Sequence, residues 1–238
     1  TTGQHIPVMA DKVVEIFEPA LRKKYIDPTA GSGGHSERIV SSGAKVLAIE
    51  KDPILERLLA QRLEFFASKQ QVVIVRGDYK NIKTIAQKYK FMKVNGILFD
   101  LGMSSWHLES SLRGFSFQKD EPLDMRYEPS EGQSAEQVLN RMKQSDLEKI
   151  FRDYSQERYA SRIARAIVRE RSHHSFRKTS DLVKLIQRVT PRRGSGIHPA
   201  TRIFQALRIY VNEELQHFGQ ALLDSFDLLF PSGKLVVI

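Results

Sequence analysis

The stretch DPTAGSGGHSERI, residues 27–39, decides how the chain is read. It follows the short run YI and places three glycines ahead of a histidine and the helix-prone SERI. Glycines gather at a strand-to-helix turn when a ligand must come close to the backbone, where a Cβ would stand in the way. The spacing Gly31-x-Gly33-Gly34-His35 is neither the dinucleotide rhythm G-x-G-x-x-G nor the phosphate loop G-x-x-x-x-G-K-[ST]. Taken alone it predicts a bound ligand or a tight turn, and the flanking sequence has to choose.

Working outward, DKVVEIFEPALRKK sets Val13, Val14, Phe17 and Leu21 on one helical stripe predicted to end near Lys24. KYID reads as a buried strand, and HSERIVSSG as a helix closed by Gly43. KVLAIEKD is a second strand, followed by the long amphipathic helix PILERLLAQRLEFFASK with Pro53 at its start. QVVIVRGD is a third strand, YKNIKTIAQKY a helix and NGILFDLG a fourth strand. Strands rich in Val, Ile and Leu that alternate with helices predict an α/β fold with a parallel sheet covered on both faces. The alternation stops at Met103. Residues up to about Arg126 read as loop, the span from SAEQVLNRM to DSFDLLF as almost wholly helical, and GKLVVI, 233–238, as one more buried strand. A helical block is therefore expected inside a sheet domain, with residues 1–105 and 213–238 forming the sheet part and 106–212 the insertion.

Composition narrows the function classes. The chain has 238 residues, 41% of them hydrophobic and 27% charged, within the range of globular proteins. No apolar run approaches the roughly 18 to 20 residues of a membrane helix, so no membrane partner is expected. The N-terminal TTGQHIPVMADK shows no basic-then-apolar signal pattern, and it begins without Met, which leaves a removed presequence open. Absence of cysteine excludes disulfides and thiolate metal sites and fits a cytoplasmic enzyme, with an organelle as the alternative. His173 and His174 have no third ligand at useful spacing, so no metal site is expected. The net charge of +9 favours a polyanionic partner, since Lys and Arg neutralise phosphates and release counterions.

In an open parallel sheet a ligand sits at the carboxyl ends of the strands. Those ends carry Asp27 and Gly31, then Glu50, then Asp78 and Tyr79, then Asp100. Glu50 suits a carboxylate that clamps ribose hydroxyls, about 20 positions past the loop. Asp78 and Tyr79 can bracket an adenine by hydrogen bond and stacking. So many carboxylates repel a pyrophosphate and suit a sulfonium with an ammonium group, which favours S-adenosylmethionine over NAD.

HIPVM, GSGGHS, DLGMSS, RGFSF, PLDMR, HPATRIFQALRIYVNEEL and GKLVVI, taken in order, closely resemble the MraW family. The resemblance implies a class I (Rossmann-like) methyltransferase with an inserted helical domain that methylates the exocyclic N4 of a cytidine in small-subunit ribosomal RNA. It further implies cofactor contacts at Gly33, Gly34, His35, Glu50, Tyr79, Asp100 and His107. Two departures stand out. The family's usual SSPQLD is SSWHLE here, so His107 replaces a glutamine. The family pattern also runs on past GKLVVI into SFHSLEDR and a basic tail, which implies a sheet truncated after its fifth strand and self-association through the exposed edge.

For the substrate side, Asp100 is the first candidate to hold the reacting amine and Asp124 of PLDMR the second. Trp106, Phe115 and Phe117 can offer an aromatic face to an everted base, Phe117 being as readily a core staple. Arg113 and Phe115 of RGFSF are candidate substrate contacts. Arg158, Arg162, Arg165 and Arg169 recur at three to four residues and form a basic stripe suited to phosphates, with Arg162 and Arg169 as its chief contacts. Arg202, Gln205, Arg208 and Asn212 are residue types that read a base edge or a phosphate. Two rivals remain open on this reading: an NAD-linked oxidoreductase, and a catalytically silent RNA-binding factor of ribosome assembly.

Overall fold

A computed structural model describes residues 7–191 and 198–238. Contacts divide the chain into two units, Thr1–Ser104 with Leu215–Ile238, and Ser105–Glu214.

The first unit begins with α1 (Ala10–Phe17), β1 (Lys24–Asp27), α2 (Gly34–Val40), β2 (Lys45–Glu50), α3 (Pro53–Ser68) and β3 (Val72–Arg76). A single 3₁₀ turn (Tyr79–Asn81), α4 (Ile82–Lys88) and β4 (Val94–Phe99) follow. The second unit holds α5 (Ser105–Glu109), α6 (Ala135–Arg141), α7 (Gln144–Ser155), α8 (Ala160–Glu170), α9 (Thr179–Val189) and α10 (Pro199–Val211). The chain then returns through α11 (Glu214–Leu228) to β5 (Leu229–Val237).

All strand pairings in the sheet are parallel, in the order β3-β2-β1-β4-β5. The order reverses at β1, between β2 and β4, so the crevice above β1 is the switch point where parallel sheets place ligands. The predicted fifth strand lies beside β4, with Ile97 opposite Leu235, and a register break between Val94 and Gly96 absorbs the extra residues around Gly233. Apolar side chains cover both sheet faces. One layer gathers Val13, Phe17, Ile39, Val46, Leu59 and Leu63, the other Ile26, Leu47, Ile49, Ile82, Ile97, Phe99 and Leu228.

Helix starts follow from local chemistry. Asp52 caps α3 by accepting from the amides of Ile54 and Leu55, with Pro53 at the first helical position. Ser134 and Gln137 form a reciprocal capping box on α6. Three expectations need correction. The first helix ends at Phe17 and not near Lys24, because a ring at position 19 clashes with the carbonyl a turn earlier; Leu21 is left exposed. The loop after Met103 contains the short helix α5. Arg158 precedes α8, where its guanidinium lies 4.9 Å from the Tyr159 ring centroid. Among the described residues no helix is long and apolar enough to cross a membrane.

Candidate active site

The turn from β1 into α2 is shaped by Gly33, whose φ of 91° suits glycine and whose added Cβ would stand 2.8 Å from Leu59 Cδ1. The helix that follows carries His35 and Ser36 inward, both buried. Ser36 Oγ donates to Asp27 Oδ2 at 2.6 Å, while Asp27 Oδ1 is buried without a partner. Both ring nitrogens of His35 are likewise buried and make no hydrogen bond, Nε2 standing 3.6 Å from Asp100 Oδ2. Asp100 is partly exposed, and its amide donates to Thr29 Oγ1 at 2.8 Å. Burial pushes the Asp27 carboxyl up to about 6, against the opposing pull of the Ser36 hydrogen bond and of His35.

Glu50 ends β2 and ties two loops together. Its Oε2 accepts from the Gly31 amide at 2.7 Å and its Oε1 from the Asp52 amide at 2.8 Å. A carboxylate offers about four acceptor positions, so beside its backbone amides Glu50 can still receive a hydroxyl donor. Burial raises its carboxyl to about 7, with backbone hydrogen bonds from Asp52, Gly31 and Lys51 pulling the other way. No heavy atom beyond its neighbours lies within 4 Å of where a Cβ at Gly31 would stand, which leaves room there for a ligand.

After β3, Asp78 is committed to protein partners. Its Oδ2 accepts from Lys51 Nζ at 2.8 Å and lies 3.1 Å from His217 Nδ1, and its Oδ1 caps the 3₁₀ turn through the Lys80 amide. Burial alone would raise this carboxyl, but the bonds from His217 and Lys51 outweigh it and hold the group well below the usual carboxylate range. The expected hydrogen bond from Asp78 to adenine therefore competes with three donors. Tyr79, half-buried, keeps its ring edge-on to Phe99 at a centroid distance of 6.1 Å.

The structure thus brings Gly31, Gly33, Gly34, His35, Glu50, Tyr79 and Asp100 to the strand ends of one unit. The remaining candidates belong to the other unit. There Asp124 is clamped by Arg126, Nε to Oδ1 at 2.6 Å and Nη2 to Oδ2 at 3.0 Å. Arg113 is buried and donates to the carbonyls of Arg126 and Tyr127. Phe115 stacks on Tyr127 at 5.4 Å and lies 4.8 Å from the His107 ring; both Phe115 and His107 are buried. Arg208 is held by Glu214 through two bonds of 2.8 and 3.0 Å. Asn212 accepts from the Tyr127 amide at 2.8 Å and donates to the Met125 carbonyl at 2.7 Å. Arg113 and Asn212 brace the loop 113–127, and Arg208 and Asn212, expected to read RNA, are engaged with protein partners here. Phe117 packs on Phe204 and His198 as a staple. By contrast Arg162, Arg165, Arg169 and Gln205 are exposed and Arg202 partly so. Among the described residues no group of three or more His, Cys, Asp or Glu could hold a metal ion.

Two participants escaped the sequence reading. Arg126 sits two residues from the carboxylate it neutralises, in plain view within PLDMR. His217 reaches Asp78 only through tertiary packing of α11, and no local pattern announces it.

A 3-2-1-4-5 parallel sheet with carboxylates and a glycine turn at the strand ends of its switch point defines an α/β fold of the class I methyltransferase type. The chain belongs to the MraW methylase family, whose sequence profile matches residues 2–238. A protein of Dehalococcoides mccartyi named Ribosomal RNA small subunit methyltransferase H is 43% identical over 237 residues, covering 98% of this chain and 66% of that one. The protein of that name from Thermomicrobium roseum is 41% identical, covering 98% of this chain and 72% of its own length. The chain thus spans about two thirds of the length of these relatives. Among solved structures, the C-terminal domain of precorrin-6Y C5,15-methyltransferase from Rhodobacter capsulatus overlaps 43% of this chain and 54% of its own at 16% identity and a TM-score of 0.35, too slight a likeness to build on.

Proposed function

We propose that the chain is an S-adenosylmethionine-dependent methyltransferase acting on the exocyclic N4 of a cytidine in small-subunit ribosomal RNA. The observation that carries this reading is the set of buried polar atoms left without partners at the switch point, Asp27 Oδ1 and both nitrogens of His35. Buried polar atoms are nearly always satisfied, so their clustering beside a glycine turn calls for a polar ligand. Its charge follows from the carboxyls, since Asp27 and Glu50 are held up near 6 and 7 and a cation restores their ionised forms. The donor set therefore fits a sulfonium ligand with an ammonium group and disfavours a pyrophosphate.

When bound, S-adenosylmethionine supplies an electrophilic methyl group on sulfur. Glu50 would receive ribose hydroxyls, Tyr79 the adenine, and Asp27 with His35 the polar end. The cytidine amine is conjugated with its ring and weakly nucleophilic, so the protein must align its lone pair and accept the proton released as the N–C bond forms and the C–S bond breaks. Asp100 is partly exposed at the same strand ends, 3.6 Å from His35 Nε2, and takes the positioning role, now that Arg126 occupies Asp124. The exposed arginines of α8 supply phosphate contacts.

Mass spectrometry of small-subunit RNA nucleosides tests the reading. Cells lacking the gene should lose an N4-methylated cytidine that the intact gene restores. An unchanged nucleoside profile would overturn it.

A further inference from the structure

His217 stands on α11, remote in sequence from the strand-end loops that it meets. Its Nδ1 lies 3.1 Å from Asp78 Oδ2, the oxygen that also accepts from Lys51 Nζ at 2.8 Å. Lys80 Nζ lies 3.5 Å from its Nε2. A carboxylate only accepts, so the ring proton that faces Asp78 sits on Nδ1. Asp78 in turn caps the 3₁₀ turn that carries Tyr79, its Oδ1 accepting from the Lys80 amide at 3.0 Å. The imidazole also meets the Tyr79 ring edge-on, at 6.3 Å and 80°. One side chain thus touches both the anchor of the turn and the ring that the turn presents.

We infer that His217 is a positioning residue for the base end of the cofactor site. Its Nδ1–H bond to Asp78 fixes the turn at residues 79–81 and with it the Tyr79 face that receives adenine. The inference rests on the proposed adenosyl cofactor and on Tyr79 as its base contact. His217 itself need not touch the ligand. Removing the donor leaves a buried carboxylate short of one hydrogen bond, and the turn it caps is free to shift.

Calorimetry with S-adenosylhomocysteine and with adenosine separates this inference from the reading beneath it. If the unmodified chain binds neither ligand, the cofactor reading fails; every comparison among variants starts from measured binding. His217→Asn places an amide donor where Nδ1 stood and is expected to bind both ligands within about twofold of the unmodified chain. His217→Gln places its amide nearer the Nε2 position and leaves Asp78 without that donor; both ligands should weaken about tenfold. A loose structural role would not distinguish two amides, nor act equally on adenosine and the whole cofactor product. Equal affinities for the Asn and Gln variants, or a loss confined to S-adenosylhomocysteine, would overturn the inference. Lys80→Met provides a second approach: Lys80 Nζ stands 3.5 Å from His217 Nε2 and 3.9 Å from Asp78 Oδ2, so its loss loosens the same pair and should weaken adenosine about threefold; unchanged affinity there counts against the inference as well.

Discussion

In the sheet unit Asp27 Oδ1 and both nitrogens of His35 are buried without partners, whereas in the helical unit Asp124, Arg208 and Asn212 are bonded to neighbouring groups. Among the described residues of the helical unit only Glu121 Oε1 shares that orphaned state, beside an Oε2 that accepts from the Gly114 amide. The difference separates two meanings of a polar motif. On the proposed reading, polar atoms at the switch point are left for the cofactor, and the cost of burying them is offset when it binds. In the loop 113–127 polar atoms serve one another, and the motif encodes a shape.

If the loop 113–127 is a closed brace, its tightest point should be its weakest to mutation. Gly114 has φ 75°, and a Cβ there would stand 2.3 Å from the Pro122 carbonyl oxygen. Gly114→Ala is expected to destabilise the chain by about 3 kcal/mol or more, read from urea denaturation. A loss under about 1 kcal/mol would show a loop free to yield. Asn212→Ala comes next. It strips partners from the Tyr127 amide and the Met125 carbonyl, for an expected loss of about 2 kcal/mol in the same measurement.

On the sheet side, Glu50→Gln should weaken S-adenosylhomocysteine by about 1.5 kcal/mol, since a charged acceptor for hydroxyls is lost. The pH dependence sharpens this. Asp27 and Glu50 have carboxyls raised to about 6 and about 7, so folding favours their protonated forms. Their contribution to stability is complete below the ordinary carboxylate range and is lost as pH rises through 6 and 7. A cationic ligand prefers the ionised forms. The melting temperature of the free chain should therefore fall between pH 5 and pH 8, while affinity for S-adenosylmethionine rises over the same interval. Calorimetry showing affinity flat across that window, or Glu50→Gln with the unaltered slope, would remove Glu50 from the site.

The smallest effect on stability is expected at α8. Arg162→Glu with Arg169→Glu should change folding stability by less than about 0.5 kcal/mol, because both side chains are exposed. RNA affinity should nevertheless fall, and its salt slope should drop by about two. An unaltered slope would make the stripe a solvated face.

Much of the sheet unit was legible because its strands are short, apolar and bounded by turns, so period and punctuation agree. Strand-end carboxylates are legible for the same reason: once a strand is placed, the residue after it is placed too. The early end of α1 was missed although Pro19 marks it, because the apolar stripe runs on to Leu21 past a residue that disfavours a continuing helix. What stayed hidden depends on where side chains point. Arg208 and Asn212 look like RNA readers on a helix, and only the fold shows them turned toward Glu214 and the 125–127 backbone. His217 belongs to the same category, being given its role by a carboxylate well over a hundred residues away.

β5 pairs with β4 although the whole helical insertion lies between them in the chain. Closure entropy grows only with the logarithm of loop length, so even as a flexible loop the insertion would cost the sheet about 2 kcal/mol beyond a short crossover. Equilibrium is therefore tolerant of such an interruption, and kinetics is not. β1 to β4 can assemble from one continuous segment, whereas the final pairing is the most non-local contact in the sheet and should form slowly. Pulse-labelling hydrogen exchange during refolding is expected to protect amides of the β1–β2 pairing before those shared by β4 and β5. The order of assembly would then be written into the topology: four strands first, the fifth on the far side of the insertion last.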